Sequence, residues 1–329
     1  MKKIALVACL AFLTALLAVP AFAAGKPPVG PRDTLEFVSC FGPGGGHDTM
    51  LRNIEKAART ANLFPNPVQY TYKPGGAQVV GMRYTKSQAG RSDLIMSTTS
   101  QVVSIPLQMD IKMDRHDLSN LVILGSTYQF LWVLKSKAEK EGWKTLDDML
   151  TCGKPVSFAI SSAGGNEETT VIYLRSKHPQ ADLRSVAVDG DAEGVVQLLG
   201  GHVDVFVNEV AGGGLENYIE SGEVIALAGM GPKRSIYAPD VPVIKELGYD
   251  FSLESFRGVM GPPDMSPEAI AWWQNVLTKI ADVPSFKEYM KQNGVEPLFL
   301  IGEDMKNFFD NFEKMQRAAY TLAGIKMVR

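Results

Sequence analysis

Apolar and β-branched residues come in short runs along this chain, separated by longer stretches whose apolar positions recur at helical spacing. Residues 35–40 read as a strand and residues 48–61 as an amphipathic helix. Residues 68–72 are again strand-like, 77–87 helical, and 94–97 a short buried strand closed by Thr98, Thr99 and Ser100. Strands alternating with helices, with glycine at the strand ends, predict an α/β unit built on a parallel sheet with covered faces.

The strands at 121–124 and 131–134 lead out of this first unit. The theme then repeats: helix 145–150, strand 156–160, helix 167–176, strand 183–188, helix 192–199 stopped by Gly200-Gly201, and strands 203–207 and 224–230. Residues 256–263 read as a strand and loop that return to the first unit, and helices follow at 267–280, 285–293 and 303–323. The expected fold class is α/β in two lobes, each a doubly wound, mostly parallel sheet. The first lobe takes residues 25–127 plus 254–329 and the second residues 128–253, with crossing segments at 125–134 and 251–258 as the hinge.

Two loops carry the candidate chemistry. The first strand runs into Phe41-Gly42-Pro43-Gly44-Gly45-Gly46-His47-Asp48, and a helical pattern begins at once. The strand at 156–160 runs into Ser161-Ser162-Ala163-Gly164-Gly165-Asn166 in the same way. Glycine permits positive φ and lets a ligand approach the main chain without a Cβ in between. The helix that follows opens with unpaired N–H groups and the positive end of its dipole. Two such cradles at the carboxyl ends of strands predict a small anion held between two lobes.

The N-terminus sets the expected compartment. Lys2-Lys3 form a positive start, residues 4–19 an apolar stretch, and Ala21-Phe22-Ala23 a small-x-small site, so a signal peptide cleaved after Ala23 and a periplasmic mature protein are expected. Leu6-Val7-Ala8-Cys9 resembles a lipoprotein box but sits too early to follow an apolar segment. No later segment is apolar enough to cross a bilayer. The 329-residue chain carries a net charge of −3, more negative once Lys2 and Lys3 are gone, and shows no basic stripe, which argues against a nucleic-acid partner. Cys40 and Cys152 remain after cleavage. A disulfide is open to an exported pair, but they fall at opposite ends of their predicted sheets and read as free thiols.

The four histidines are scattered singly, so no metal or other cofactor is expected. Gly42-x-Gly44-x-x-His47 lacks the third small residue of a dinucleotide fingerprint. No motif resembles a nucleophile elbow; an exported hydrolase is the weaker alternative and an enzyme is not expected. Asp48 suits the start of its helix, where it can accept from loop N–H groups, and Arg52 lies one turn on for pairing; direct contact with ligand is the other role open to each.

Taken in order, several motifs resemble one family. They are Phe41-Gly42-Pro43-Gly44-Gly45-x-x-Asp48-x-x-x-Arg52, then Lys73-Pro74-Gly75-Gly76-Ala77-x-x-x-Gly81, then Gly190-x-x-x-Gly194-x-x-x-Leu198-Leu199-Gly200-Gly201-x-Val203-Asp204. Ser221-Gly222-Glu223-Val224, Pro239-Asp240-Val241-Pro242, Glu246-Leu247-Gly248-Tyr249 and Gly258-x-x-Gly261-Pro262-Pro263 continue the series. The chain is identified by this resemblance as a member of the tripartite tricarboxylate transporter substrate-binding proteins, the Bug or TctC family of periplasmic solute receptors.

The resemblance implies a two-lobed periplasmic binding protein of the Venus-flytrap type. It would act as a monomer that holds a small carboxylate and delivers it to membrane permease subunits. A sensor subunit feeding a membrane kinase is the alternative. By the same resemblance the first lobe offers Phe41, Gly42, Gly44, Gly45 and Asp48, with Gly75, Gly76, Thr98 and Thr99 nearby. The second offers Ser161, Ser162, Gly164, Gly165, Asn166, Asp189 and Asn208. Two departures matter: Gly165-Asn166-Glu167-Glu168-Thr169 lacks the histidine of a common family pattern, and Val188-Asp189-Gly190 replaces a cation by a carboxylate, with Glu209 close by. They extend the expected ligands to a monocarboxylate or an acid with an amine or other donor facing Asp189 and Glu209.

Overall fold

The computed structural model describes residues 33–161, 165–211 and 214–328. The expected signal peptide and the loop residues Ser162 and Gly164 lie outside these described residues. The chain begins with β1 (Leu35–Ser39), α1 (Gly46–Thr60), β2 (Val68–Tyr72), α2 (Val79–Lys86), β3 (Leu94–Thr98) and α3 (Gln101–Gln108). Two strands, β4 (Ser119–Tyr128) and β5 (Phe130–Leu134), are separated only by Gln129. Then come α4 (Lys135–Glu141), α5 (Leu146–Leu150), β6 (Val156–Ile160), α6 (Asn166–Lys177), β7 (Leu183–Ala187), α7 (Asp191–Leu199), β8 (Val205–Asn208), α8 (Leu215–Glu220) and β9 (Val224–Gly229). The chain closes with β10 (Glu254–Gly261), α9 (Pro267–Ala281), α10 (Pro284–Gln292), β11 (Glu296–Leu300) and α11 (Gly302–Leu322).

Two sheets result. The first has strand order β11-β4-β10-β3-β1-β2 and the second β7-β6-β8-β5-β9. The α/β two-sheet architecture matches the expectation, but both sheets are mixed where mostly parallel ones were expected. In the first, β1 pairs parallel with β2 and β3, whereas β10 runs antiparallel to β3 and β4, and β11 to β4. In the second, β6 pairs parallel with β7 and β8, while β5 runs antiparallel to β8 and β9. The physical reason is the double crossing. A strand that leaves one sheet for the other and a strand that returns run in opposite senses, so β4, β5, β9 and β10 must alternate in direction. The strands that end in glycine loops, β1, β6 and the neighbours parallel to them, keep their carboxyl ends on one side of each sheet.

Alternation along the strands fills both faces. Phe37 joins Met50, Ile54, Trp273 and Leu277 on one face of the first sheet, while Val38 joins Met82, Val102 and Phe309 on the other. In the second sheet Leu131 and Val133 pack with Tyr173 and Leu174, and Phe130 and Trp132 with Val195 and Leu198. Each of these fully buried side chains contributes about 1.5–3 kcal/mol relative to exposure. Helix α11 serves both clusters. Phe309 and Phe312 set their rings edge-on to Phe256, while Ala319 and Ala323 pack with the second sheet's core. Cys40 and Cys152 are both free, and burial pushes the Cys40 thiol far up, leaving it unreactive.

Candidate functional site

The first cradle is shaped by its own acid. The Asp48 carboxylate accepts from the Gly44 N–H at 2.8 Å, from Arg52 Nε at 2.9 Å and from the Tyr72 hydroxyl at 2.9 Å. Burial works against ionisation of Asp48, but these three donors outweigh it and hold the carboxyl below its usual range. Gly44 has φ +78°, a left-handed conformation that aims its amide back at Asp48 and that a β-branched residue would resist. Helix α1 begins at Gly46 with Gly45 as its cap and no side-chain capping bond. Its first-turn amides are therefore left for other partners.

Arg52 Nη2 also donates to the Tyr72 hydroxyl at 2.7 Å, but its side chain is 53% exposed. Arg52→Ala is accordingly expected to cost no more than about 1 kcal/mol, and less at high salt, in a denaturant titration. A loss above that range would show that the arginine does more than brace the loop.

The second segment of the first lobe, after β2, is wound in an unusual way. Gly75, Gly76, Ala77 and Gln78 all have positive φ, at 125°, 59°, 48° and 82°. Two consecutive non-glycine residues in this region are strained. The strain is held by the fully buried Gln78 side chain. Its Nε2 donates to Thr98 Oγ1 at 3.0 Å, and its Oε1 accepts from the Thr99 N–H at 3.2 Å. The structure thus brings Gly75, Gly76, Thr98 and Thr99 into one unit, with Gln78, absent from the sequence-derived residues, as its clasp.

In the second lobe, Gly165 caps α6, its carbonyl receiving the Thr169 N–H at 3.0 Å and hydroxyl at 2.8 Å. Asn166 reaches across to the first sheet, where its Nδ2 donates to the Glu254 carbonyl at 3.2 Å. Ser161 is half-buried at the end of β6. Asp189 is exposed, its N–H held by Glu193 Oε2 at 2.5 Å, and the next residue, Gly190, caps α7. Asn208 is buried; its carbonyl accepts from Trp132 Nε1 at 3.1 Å and its Nδ2 has no partner. Phe41 lies half-buried with its ring 4.6 Å from the His47 ring.

One charged link between the sheets was not expected from the loops. Glu209, just past β8, accepts from Arg257 Nη2 of β10 at 2.6 Å and from Thr127 Oγ1 of β4 at 2.7 Å. Both charged side chains are mostly buried, at 21% and 17% exposure. Neither glycine loop contains an arginine; Arg257 comes from the returning strand β10. Its charge is felt by His47 in the first cradle and by Asp191 at the start of α7. The available signal was a lone guanidinium in an apolar run, between Phe256 and Val259.

His47 is buried and neutral. Burial first, and Arg257 second, push it down to about 3 against the bond to Ser97. The Ser97 hydroxyl donates to the Val38 carbonyl at 3.3 Å, so it accepts from His47 Nδ1 at 2.8 Å, which fixes the proton on Nδ1. Among the described residues no three His, Cys, Asp or Glu side chains group to hold a metal. No described helix is long and apolar enough to cross a membrane.

Comparison with known proteins identifies this arrangement. Protein BugT of Bordetella pertussis is 25% identical over 286 residues, covering 84% of this chain and 85% of its own. Among solved structures, Rpa4515 of R. palustris, described with adipate, is 18% identical with a TM-score of 0.75, over 90% of this chain and 99% of its own. MatC of Rhodopseudomonas palustris, described with bound malate, is 16% identical with a TM-score of 0.70, over 89% and 100%. At such identities the structures establish a shared fold, that of two-lobed periplasmic binding proteins. Residues 50–320 match the family described as the tripartite tricarboxylate transporter family receptor, TctC, so this chain belongs to that family of solute-binding proteins, which are receptors and not enzymes.

Proposed function

We propose that this receptor works in the periplasm as a monomer, captures a small organic carboxylate between its lobes, and delivers it to the membrane permease subunits of a tripartite tricarboxylate transporter. The observation that carries the reading is the pairing of strand-end glycine loops, one from each sheet and each opening a helix, with a guanidinium between the sheets. Helix-start amides supply positive potential without a net positive protein. Relatives of the same fold are described with adipate and malate, both carboxylates. Lobe one takes residues 25–127 and 254–329 and lobe two residues 128–253, with the crossing segments around Gln129 and Glu254 as hinge. Phe41, Gly42, Gly44, Gly45, Gly75 and Gly76 would face ligand from one side, and Ser161, Gly165, Asn166, Asp189 and Asn208 from the other. Asp48, Thr98 and Thr99 would act mainly by holding these loops in shape.

Ligand that touches both lobes favours the closed state by its differential contacts. A thermal-shift screen of organic acids, sugars and inorganic ions, with native mass spectrometry of freshly purified protein, tests the class. At a concentration of about 100 times Kd a true ligand adds about 2.7 kcal/mol to apparent stability. Gly44→Val, which forces a β-branched residue to φ +78° and pulls an amide off Asp48, is expected to weaken binding at least about tenfold with the circular dichroism spectrum unchanged. Stabilisation by sugars or inorganic cations, with no response to any carboxylate, overturns the reading.

A further inference from the structure

His47 is the second residue of α1, and its ring is held from two sides. It turns toward the carboxyl end of β3, where Nδ1 donates to Ser97 Oγ at 2.8 Å. The Ser97 proton is already given to the Val38 carbonyl of β1 at 3.3 Å. Cys40 Sγ, 3.4 Å from the Ser97 carbonyl, ties the same two strand ends together. Phe41 packs on the imidazole with ring centroids 4.6 Å apart at 48°. Only 8% of His47 stays exposed. The ring can neither flip nor exchange tautomer without giving up the Ser97 bond.

This relay decides what the far side of the ring offers. With the proton on Nδ1, Nε2 is a bare lone pair, and the two ring nitrogens diverge, so Nε2 is turned away from the strand ends. Among the described residues no donor reaches Nε2, yet it is not one of the polar atoms sealed from solvent. It is an open acceptor in the first cradle, and the group that fits it is a donor. An ionised carboxylate only accepts, so it belongs on the first-turn amides of α1, to which the cap residue Gly45 offers no side chain. An ammonium would sit at the positive end of that helix with one lone pair to serve three N–H bonds. A hydroxyl donates once and accepts from a neighbouring amide in return. Burial and Arg257 keep the imidazole neutral, so Nε2 stays an acceptor at neutral pH.

Resting on the reading of the chain as a carboxylate receptor, we propose that His47 is a specificity-determining residue: its Nε2 accepts from a hydroxyl of the ligand, so the receptor selects a 2- or 3-hydroxycarboxylate over the same acid without the hydroxyl. An acid that lacks the hydroxyl leaves Nε2 without a partner when the lobes close. An unpaired buried acceptor is what makes a site reject such an analogue.

Isothermal titration of matched acids tests this: lactate against propionate, 3-hydroxybutyrate against butyrate, malate against succinate, and mandelate against phenylacetate. The hydroxylated member of at least one pair is expected to bind about tenfold tighter or more. In His47→Asn, whose shorter amide still reaches Ser97 as a donor, the ratio within that pair should fall to about twofold or less. His47→Gln, whose Oε1 takes the place of Nε2, should keep part of the preference. In the wild-type protein, nitrogen NMR of the imidazole should show the proton on Nδ1 and a shift of the His47 Nε2 resonance with the hydroxylated acid but not with its partner. That readout stands even if the variants fold poorly. If the acids that bind carry no hydroxyl or bind as tightly as their hydroxylated partners, if Nε2 carries the proton, or if His47→Asn keeps the preference, this inference falls while the carboxylate reading stands. If no carboxylate binds and a sugar or inorganic cation does, the carboxylate reading falls and this inference with it.

Discussion

Arg257→Gln is expected to lower the folding stability by about 2–3 kcal/mol, somewhat less than breaking a fully buried ion pair because both partners keep some solvent access. The loss comes less from the missing attraction than from what is left behind. Glu209 would remain 17% exposed with a charge and only Thr127 to serve it. Asp191 would lose the cation that counters its desolvation and climb further. The double variant Arg257→Gln/Glu209→Gln should then recover at least half of the loss, because neither side leaves an unpaired charge. Chemical denaturation of wild type, both single variants and the double variant measures this directly. Additive losses, or a single variant within about 0.5 kcal/mol of wild type, would show that the two lobes are not coupled through this pair.

The elements that sequence reasoning located are those whose own pattern decides their state. Residues 35–40, with Phe37 and Val38 facing opposite clusters, and the helix from Gly46 with its apolar stripe at Met50, Leu51 and Ile54, could be read without tertiary information. Helix α3 was not read, because it holds Pro106 and β-branched Val102, Val103 and Ile105, all poor helix formers; packing of its buried face decides it. Strand β11 carries Pro297 and is tolerated because it lies at the edge of its sheet. Helices α4 and α8 are short and buried at few positions, so their patterns are weak.

The same division holds at the site. Gly44 with Asp48, and the Asp48–Arg52 pair, were visible because the partners lie within one helical turn. Gln78 with Thr98 and Thr99, and Arg257 with Glu209, were not, because their partners are 20 to 48 positions apart and only the strand order brings them together. Parallel sheets were expected because glycine at strand ends signals a βαβ step; a strand that crosses from one lobe to the other gives no such mark in the sequence.

Stability is expected to peak near pH 5 and to fall by about 2–3 kcal/mol toward pH 8, an acid-side optimum set by the interface between the lobes. Glu167 and Glu254 are both pushed up to about 7, the first by burial with Glu209 and Asp191, the second by burial and Glu296 against the pull of Lys233. A carboxyl raised in the folded state gives its full stabilising contribution below its unfolded value of 4.5 and loses it as pH rises through 7. His47 works in the opposite sense. Depressed from 6.5 to about 3, it stabilises the folded state above 6.5 and loses that contribution as pH falls, which cancels part of the acid-side gain. Asp48, Glu36 and Asp204 are held below their usual range by donors that outweigh burial, so their contributions vanish only at still lower pH. Asp191 is raised as well, so three raised carboxylates against one depressed imidazole leave a net loss of stability between about pH 5 and pH 8. Urea titrations across this range measure it, and Glu254→Gln and Glu167→Gln should each flatten the curve by removing one proton from the balance. A stability that is level or rising up to pH 8 would mean that neither glutamate is desolvated as its position between the sheets requires.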